Sequence, residues 1–171
     1  MNGYMLKRAF DIVFSGVALI LLSPMLMVLG LAVALSSPGG AFFLQIRVGR
    51  AGKEFRLVKF RTMRPGSEAQ SQITIGGRDP RITGIGYFLR KSKLDGLPQL
   101  INVLLGHMSI VGPRPEVPKY VVLYSPEQRE ILNVRPGITS AASIVYMDEN
   151  EVLVRSADPH RTYVEEVMPA K

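Results

Sequence analysis

IVFSGVALILLSPMLMVLGLAVAL, residues 12–35, carries no charged side chain. As a helix it would be about 36 Å long, against roughly 30 Å of hydrocarbon in a bilayer. The stretch therefore predicts a membrane segment. Lys7 and Arg8 precede it, and Phe10 and Phe14 stand at its start. A secretory signal would have a shorter apolar region followed by a clean small-residue cleavage site. Ser23-Pro24 lies near the middle. A proline there removes a backbone donor and collides with the carbonyl of Ile20, costing about 3 kcal/mol or more inside a helix. Ser23 can offer its hydroxyl to a freed carbonyl, which makes a sharp bend tolerable in lipid. A break leaves two arms of about 17 Å, each reaching halfway into the bilayer.

Cations flank both ends of the run. Arg47, Arg50, Lys53, Arg56, Lys59, Arg61 and Arg64 follow it, opposed only by Glu54. The preference for cations on the cytoplasmic side is met at both ends only if both emerge on one face. A re-entrant hairpin achieves this and a simple spanning helix does not. Length alone favours the spanning helix, and prolines occur in such helices, so the residues leave both topologies open.

The chain has 171 residues and a formal net charge of +7. That balance suits nucleic acid, anionic headgroups or phosphorylated small molecules, or a generic cationic flank to a membrane segment. The absence of cysteine excludes a disulfide scaffold, a thiolate zinc site and a cysteine nucleophile. Two histidines are too few for a histidine-based metal site. No GxxxxGK[ST] loop, strand-borne GxGxxG, HExxH or GxSxG is present, so a P-loop enzyme, a Rossmann dehydrogenase, a zinc protease and an α/β-hydrolase lose support.

Ser36-Ser37-Pro38-Gly39-Gly40 ends the membrane segment. Residues 42–48 and 54–60 read as strands joined by Gly49-Arg50-Ala51-Gly52, a hairpin. Phe42 and Phe43 can anchor at headgroup level. Residues 64–84, rich in Gly, Ser, Pro and Arg, read as a long loop. Residues 85–105 read as a mainly helical, amphipathic stretch with a basic face, ending or kinking near Leu97 before Pro98. It is either interfacial or an ordinary core-facing helix. Ser125-Pro126-Glu127-Gln128 is a capping box opening a short helix to about Asn133. A short strand near 143–146 and an acidic helical fragment near 163–167 complete the pattern. The fold class is α+β: residues 1–38 form the membrane segment, and residues 39–171 a small, mainly helical domain with a short β-hairpin.

Asp95 follows Arg90, Lys91 and Lys93 on the predicted helix. Cations keep a carboxylate ionised, and an ionised Asp can attack phosphorus or ligate magnesium. The alternative is a solvated carboxylate paired with Lys91. Lys59-Phe60-Arg61-Thr62 places two cations and a hydroxyl at a strand end, and Arg78-Asp79-Pro80-Arg81 adds two guanidiniums in the loop. Arg114 lies between Pro113 and Pro115, whose stiff backbone lowers the entropy cost of gripping phosphate bidentately. Together these make a phosphate-binding surface beside a membrane.

Lys7-Arg8-x-x-Asp11, Ser23-Pro24, Lys59-Phe60-Arg61-Thr62-Met63 and Arg78-Asp79-Pro80-Arg81-Ile82-Thr83 are joined by further stretches. Three such stretches complete the set: Leu89-Arg90-Lys91-x-x-Leu94-Asp95-x-Leu97-Pro98-Gln99-Leu100, residues 108–115 (MSIVGPRP) and Arg135-Pro136-Gly137-Ile138-Thr139. In this order they resemble the bacterial sugar transferases, the monotopic phosphoglycosyl transferases that start glycan assembly on a polyprenyl phosphate carrier. The length is similar to the small, single-domain form, short of a C-terminal piece. The resemblance implies a re-entrant helix broken at Ser23-Pro24, with both ends on the cytoplasmic face of a bacterial inner membrane. It implies a UDP-sugar and polyprenyl (undecaprenyl) phosphate as substrates, UMP release, and a role in glycan or exopolysaccharide assembly. Asp95 would be the nucleophile, forming a phosphosugar-aspartyl intermediate, and would bind Mg2+. Lys59, Arg61, Arg78, Arg81, Arg90, Arg114 and Arg135 would hold the donor, and Lys7 and Arg8 the polyprenyl phosphate.

One position departs from the family pattern. Its nucleophile is followed by Glu; here Gly96 follows Asp95. Asp79 or Glu116 would have to substitute, or the chain is catalytically impaired. Two other classes compete: a non-enzymatic membrane scaffold binding anionic lipid, and a nucleic-acid module. The latter lacks any reader motif, so nucleic acid is not expected as a partner. Homo-oligomerisation and the identity of the sugar stay open.

Overall fold

The computed structural model describes residues 3–67, 79–140, 156 and 158–168. Helix α1, Gly3–Ser36, is followed by the antiparallel hairpin β1 (Phe42–Val48) and β2 (Glu54–Phe60). Then come α2 (Gly84–Lys91), a 3₁₀ turn at Leu94–Gly96, α3 (Gln99–Leu104) and β3 (Ser109–Val111). Helix α4 (Pro118–Val121), α5 (Pro126–Arg129) with a 3₁₀ extension Glu130–Asn133, and β4 (Gly137–Thr139) follow. Helix α6 (Pro159–Thr162) continues into a π-turn at Tyr163–Val167. The α+β reading holds.

Helix α1 is continuous through Pro24, so the break into two helices expected at Ser23-Pro24 does not form. The donor that proline lacks is replaced locally, because Ser23 Oγ donates to the Ile20 carbonyl at 2.8 Å. Most large apolar residues between Met5 and Leu35 face outward, Ile20 being 74% and Leu35 79% exposed. The helix still docks on the rest of the chain near both ends. Early on, buried Asp11 accepts from the Ile110 backbone N–H at 3.1 Å. Near the other end, Val33 packs with Phe60 and Leu89, joined by Leu26 and Leu29.

The hairpin follows its predicted bounds, and its register places Arg47 opposite Phe55 and Phe43 opposite Lys59. Arg47 and Lys59 thus share one face with Phe55 and Leu57. Strand β1 reverses the usual pattern: Phe42, Leu44 and Ile46 are exposed while Phe43, Gln45 and Arg47 turn inward. Phe55 and Leu57 pack with Val103 and Met108 in a second core. A third core joins Val117 and Tyr120 to Tyr163 and Val167 of the C-terminal segment.

Two further expectations change. The helix predicted over 85–105 is interrupted, because α2 ends at Lys91 and Lys93 adopts a left-handed backbone (φ 59°) that turns the chain. The first break comes at Ser92-Lys93, earlier than the one expected near Leu97, as the αL turn closes α2 with Lys93 N–H on the Arg90 carbonyl. Residues 109–111 and 137–139 also form a parallel pair that their length concealed. Gly112 and Gly137 permit it: a Cβ on Gly137 would lie 2.1 Å from Gly112 N. The capping box at Ser125 and Gln128 and the helical fragment at 163–167 form as expected. The strand expected at 143–146 lies outside the described residues.

Candidate active site

Asp95 sits on the 3₁₀ turn between α2 and α3, half-buried, rather than within a helix. Three attachments set this turn against β2. Leu94 packs against the Val33–Phe60–Leu89 cluster. Thr83 caps α2 by accepting from Gly86 N–H at 3.0 Å, and its own N–H donates to the Thr62 carbonyl at 3.0 Å. Position 86 must be glycine for that approach, since a Cβ there would stand 2.1 Å from Thr62 O. Finally, buried Asn102 on α3 acts as a surrogate strand edge. Its Nδ2 donates to the Arg56 carbonyl at 2.8 Å and its Oδ1 accepts from Val58 N–H at 2.9 Å. Asp95 forms no ion pair with Lys91, which is exposed.

Cations gather around this turn. Burial pushes the Lys59 ammonium down to about 7, and Arg47, Arg114 and Arg90 push in the same direction, while Asp95 opposes them. Arg90 is also lowered by burial, against attraction from Asp95 and Asp79, and its Nε donates to Thr62 Oγ1 at 3.0 Å. Arg47 is lowered by burial and held by Glu116, whose Oε1 accepts from Arg47 Nη1 at 3.0 Å. Glu116 also accepts from the Tyr163 hydroxyl at 2.7 Å, tying in the C-terminal segment. Arg114 is exposed beside this pair. A half-buried group of cations pressing one another's pKa values down is short of negative charge, and a phosphorylated ligand supplies it.

Among the described residues, Asp95 has no second carboxylate beside it free to share a magnesium. Gly96 brings no ligand. Asp79 is gripped by Arg81, with Nη2 at 2.5 Å from Oδ2, and Glu116 is held by Arg47 and Tyr163. Among the described residues no group of three His, Cys, Asp or Glu converges.

Of the residues expected at the site, Lys59, Arg90 and Arg114 lie within electrostatic reach of one another or of Asp95. Arg81 reaches Arg90 through the shared Asp79. Arg61 instead donates to the carbonyls of Gly40 and Phe42, at 3.2 and 3.0 Å, and holds the start of β1. Arg135 donates to the Gly106 carbonyl at 2.8 Å, beyond the far end of α3 from Asp95. Lys7 Nζ donates to the Val111 carbonyl at 2.8 Å, and Arg8 donates to the carbonyls of Val103 and Leu104 at the C-terminal end of α3. Arg78 lies outside the described residues. Arg47, Asn102 and Tyr163 went unrecognised in the sequence; only the inward position of Arg47 in an alternating strand hinted at one of them.

A family model described as bacterial sugar transferase matches residues 2–169. The UDP-glucose:undecaprenyl-phosphate glucose-1-phosphate transferase of Escherichia coli (strain K12) is 44% identical over 147 residues, covering 82% of this chain and 31% of that protein. The UDP-N-acetylgalactosamine-undecaprenyl-phosphate N-acetylgalactosaminephosphotransferase of Aeromonas hydrophila is 40% identical over 146 residues, covering 82% of this chain and 34% of that protein. The exopolysaccharide production protein PSS of Rhizobium leguminosarum bv. phaseoli is 43% identical over 146 residues, covering 81% of this chain and 73% of that protein. The chain thus spans about a third of the first two relatives' length.

Proposed function

The chain belongs to the bacterial sugar transferase family, and from that premise we propose that it transfers a phosphosugar from a UDP-sugar to undecaprenyl phosphate at a membrane surface. The observation that carries this reading is the half-buried Asp95 on a turn within electrostatic reach of Lys59 and Arg90, with Arg114 in reach of Lys59. The relatives' names supply the substrate class.

In the first step an Asp95 carboxylate oxygen attacks the sugar-bearing phosphorus. The bond from that phosphorus to the bridging oxygen breaks, and UMP leaves with the electron pair. Lys59, Arg90 and Arg114 hold the phosphate oxygens and stabilise the charge that moves onto the leaving group. In the second step an oxygen of the lipid phosphate attacks the same phosphorus. The aspartyl–phosphorus bond breaks, Asp95 is restored and a lipid diphosphosugar is released. Neither step needs a proton moved from carbon, so positioning and charge neutralisation carry the catalysis.

Helix α1 is read as re-entrant, with both ends on the cytoplasmic face of the inner membrane. In support, one small domain binds α1 both at Lys7–Asp11 and at Gly30–Val33, while the apolar surface between is exposed. Residues 8 and 33 of a straight spanning helix would lie about 37 Å apart across the bilayer.

Incubating the full chain in detergent with a panel of UDP-sugars tests the reaction. UMP release and an intact-mass increase of one phosphosugar are expected, both lost in Asp95→Asn. A folded chain that releases no UMP from any donor, or an Asp95→Asn variant that keeps the adduct, would refute the assignment.

A further inference from the structure

Two guanidiniums near the start of α1 converge on a single neutral oxygen. Arg50 Nη1 donates to the Tyr4 hydroxyl at 2.7 Å, and Arg135 Nη1 donates to the same oxygen. Both also lie over the Tyr4 ring, 5.0 and 5.2 Å from its centroid. Each is aimed by a backbone carbonyl: Arg50 Nε donates to Asn133 O at 3.1 Å, and Arg135 Nε to Gly106 O at 2.8 Å. Among the described residues neither is paired with a carboxylate, and the Nη2 of each has no hydrogen-bond partner.

This arrangement is electrostatically incomplete. Two positive charges held together repel, and a phenol oxygen offers lone pairs but no charge. An anion with several oxygens would engage both free Nη2 groups, and phosphate matches the guanidinium fork best. The surroundings point to a phosphate carried by a lipid. Tyr4 is 46% exposed and is followed on α1 by exposed Met5 and Leu6, while exposed Ile131 and Val134 stand beside Arg135 in the chain. Cations and a tyrosine rimmed by apolar side chains suit the headgroup layer, where the ring and the rim enter the acyl boundary. A soluble anion has no use for that rim.

We propose that Arg50, Arg135 and Tyr4 form a binding site for the phosphate of an anionic membrane phospholipid, setting the depth at which the domain sits. Arg135 thereby serves the membrane surface rather than the donor. The site lies beyond the far end of α3 from Asp95, and the inference does not depend on the transfer reaction.

Native mass spectrometry of the full chain in detergent, titrated with phosphatidylglycerol, tests this. The wild-type chain should retain the lipid, and the double variant Arg50→Gln/Arg135→Gln should bind it about tenfold or more weakly, the loss of a charge-assisted contact. Lys53→Gln removes an exposed cation three residues from Arg50 and should change binding less than twofold. If the double variant unfolds, Arg50→Lys keeps the charge without the fork and should still weaken binding several-fold. Equal binding by wild type and whichever of these variants folds would overturn the proposal. So would an equal loss in Lys53→Gln, which would mean diffuse attraction. Displacement of the lipid by millimolar inorganic phosphate would assign the cluster to a soluble anion and overturn the lipid assignment.

Discussion

Raising the pH from 7 to 9 should weaken binding of the donor diphosphate by up to about 50-fold, through Lys59. In the empty site burial, reinforced by Arg47 and Arg114, holds its pKa near 7 instead of 10.5. A diphosphate bearing two negative charges beside it returns the ammonium toward its ordinary range, because the opposite charge now favours the protonated form. Between the two pKa values the complex holds a proton that the free protein lacks. At pH 8 the empty site is about one-tenth protonated, so binding should take up about 0.9 proton. The dissociation constant then rises toward tenfold per pH unit. A methylene-bridged UDP-sugar, which cannot be cleaved, should be titrated by calorimetry in buffers of different ionisation enthalpy. Lys59→Arg stays charged throughout and should show neither the uptake nor the slope. An absence of uptake at pH 8 in the wild type, or the same uptake in Lys59→Arg, would refute the argument. The same displacement acts on folding. The unfolded chain holds the Lys59 proton up to 10.5 and the native chain only to about 7, so this residue makes stability rise with pH between those values.

Restoring a carboxylate with Gly96→Glu should raise UMP release. A Cβ at position 96 meets only the movable end of Gln99, Nε2 at 2.9 Å and Cδ at 3.9 Å, so the side chain can be admitted. Equal rates in the two versions would count against a shortage of acid at the site. Asn102→Ala should lower unfolding free energy by about 1–3 kcal/mol, because it leaves the partly buried Arg56 carbonyl and Val58 N–H without their partner together. A loss under about 1 kcal/mol in a chemical melt would show that water replaces the side chain. Single cysteines placed at positions 2 and 38 of this cysteine-free chain should both react with an impermeant thiol reagent from the cytoplasmic side only, position 38 being exposed. Reaction from opposite sides would refute the re-entrant reading.

The hairpin was legible because its signals are local. Residues 42–48 and 54–60 are β-rich runs on either side of a glycine turn, and they form with those bounds. The Ser125–Gln128 cap was legible for the same reason. Asp95 could be singled out by the cations near it in sequence, but Lys91 and Lys93 point to solvent and the partners that matter come from elsewhere. The β3–β4 pair escaped notice because parallel strands three residues long carry little periodicity. The family resemblance makes Lys7, Arg8, Arg61 and Arg135 all phosphate ligands. In the structure each donates to backbone carbonyls, a choice that depends on which backbone lies within reach.

The order of residues by itself settles the apolar helix, the serine that repairs the hydrogen bond lost at Pro24, the hairpin and the helix cap. Each rests on neighbours within a few positions, where covalent geometry dictates the outcome. Tertiary structure alone decides which cations share a site. Strand register puts Arg47 and Lys59 on one face, the left-handed Lys93 swings Asp95 out of line with α2, and Asn102 pins the following helix to β2. Charge acts through space, so the electrostatics of the site follow from this packing and not from spacing along the chain.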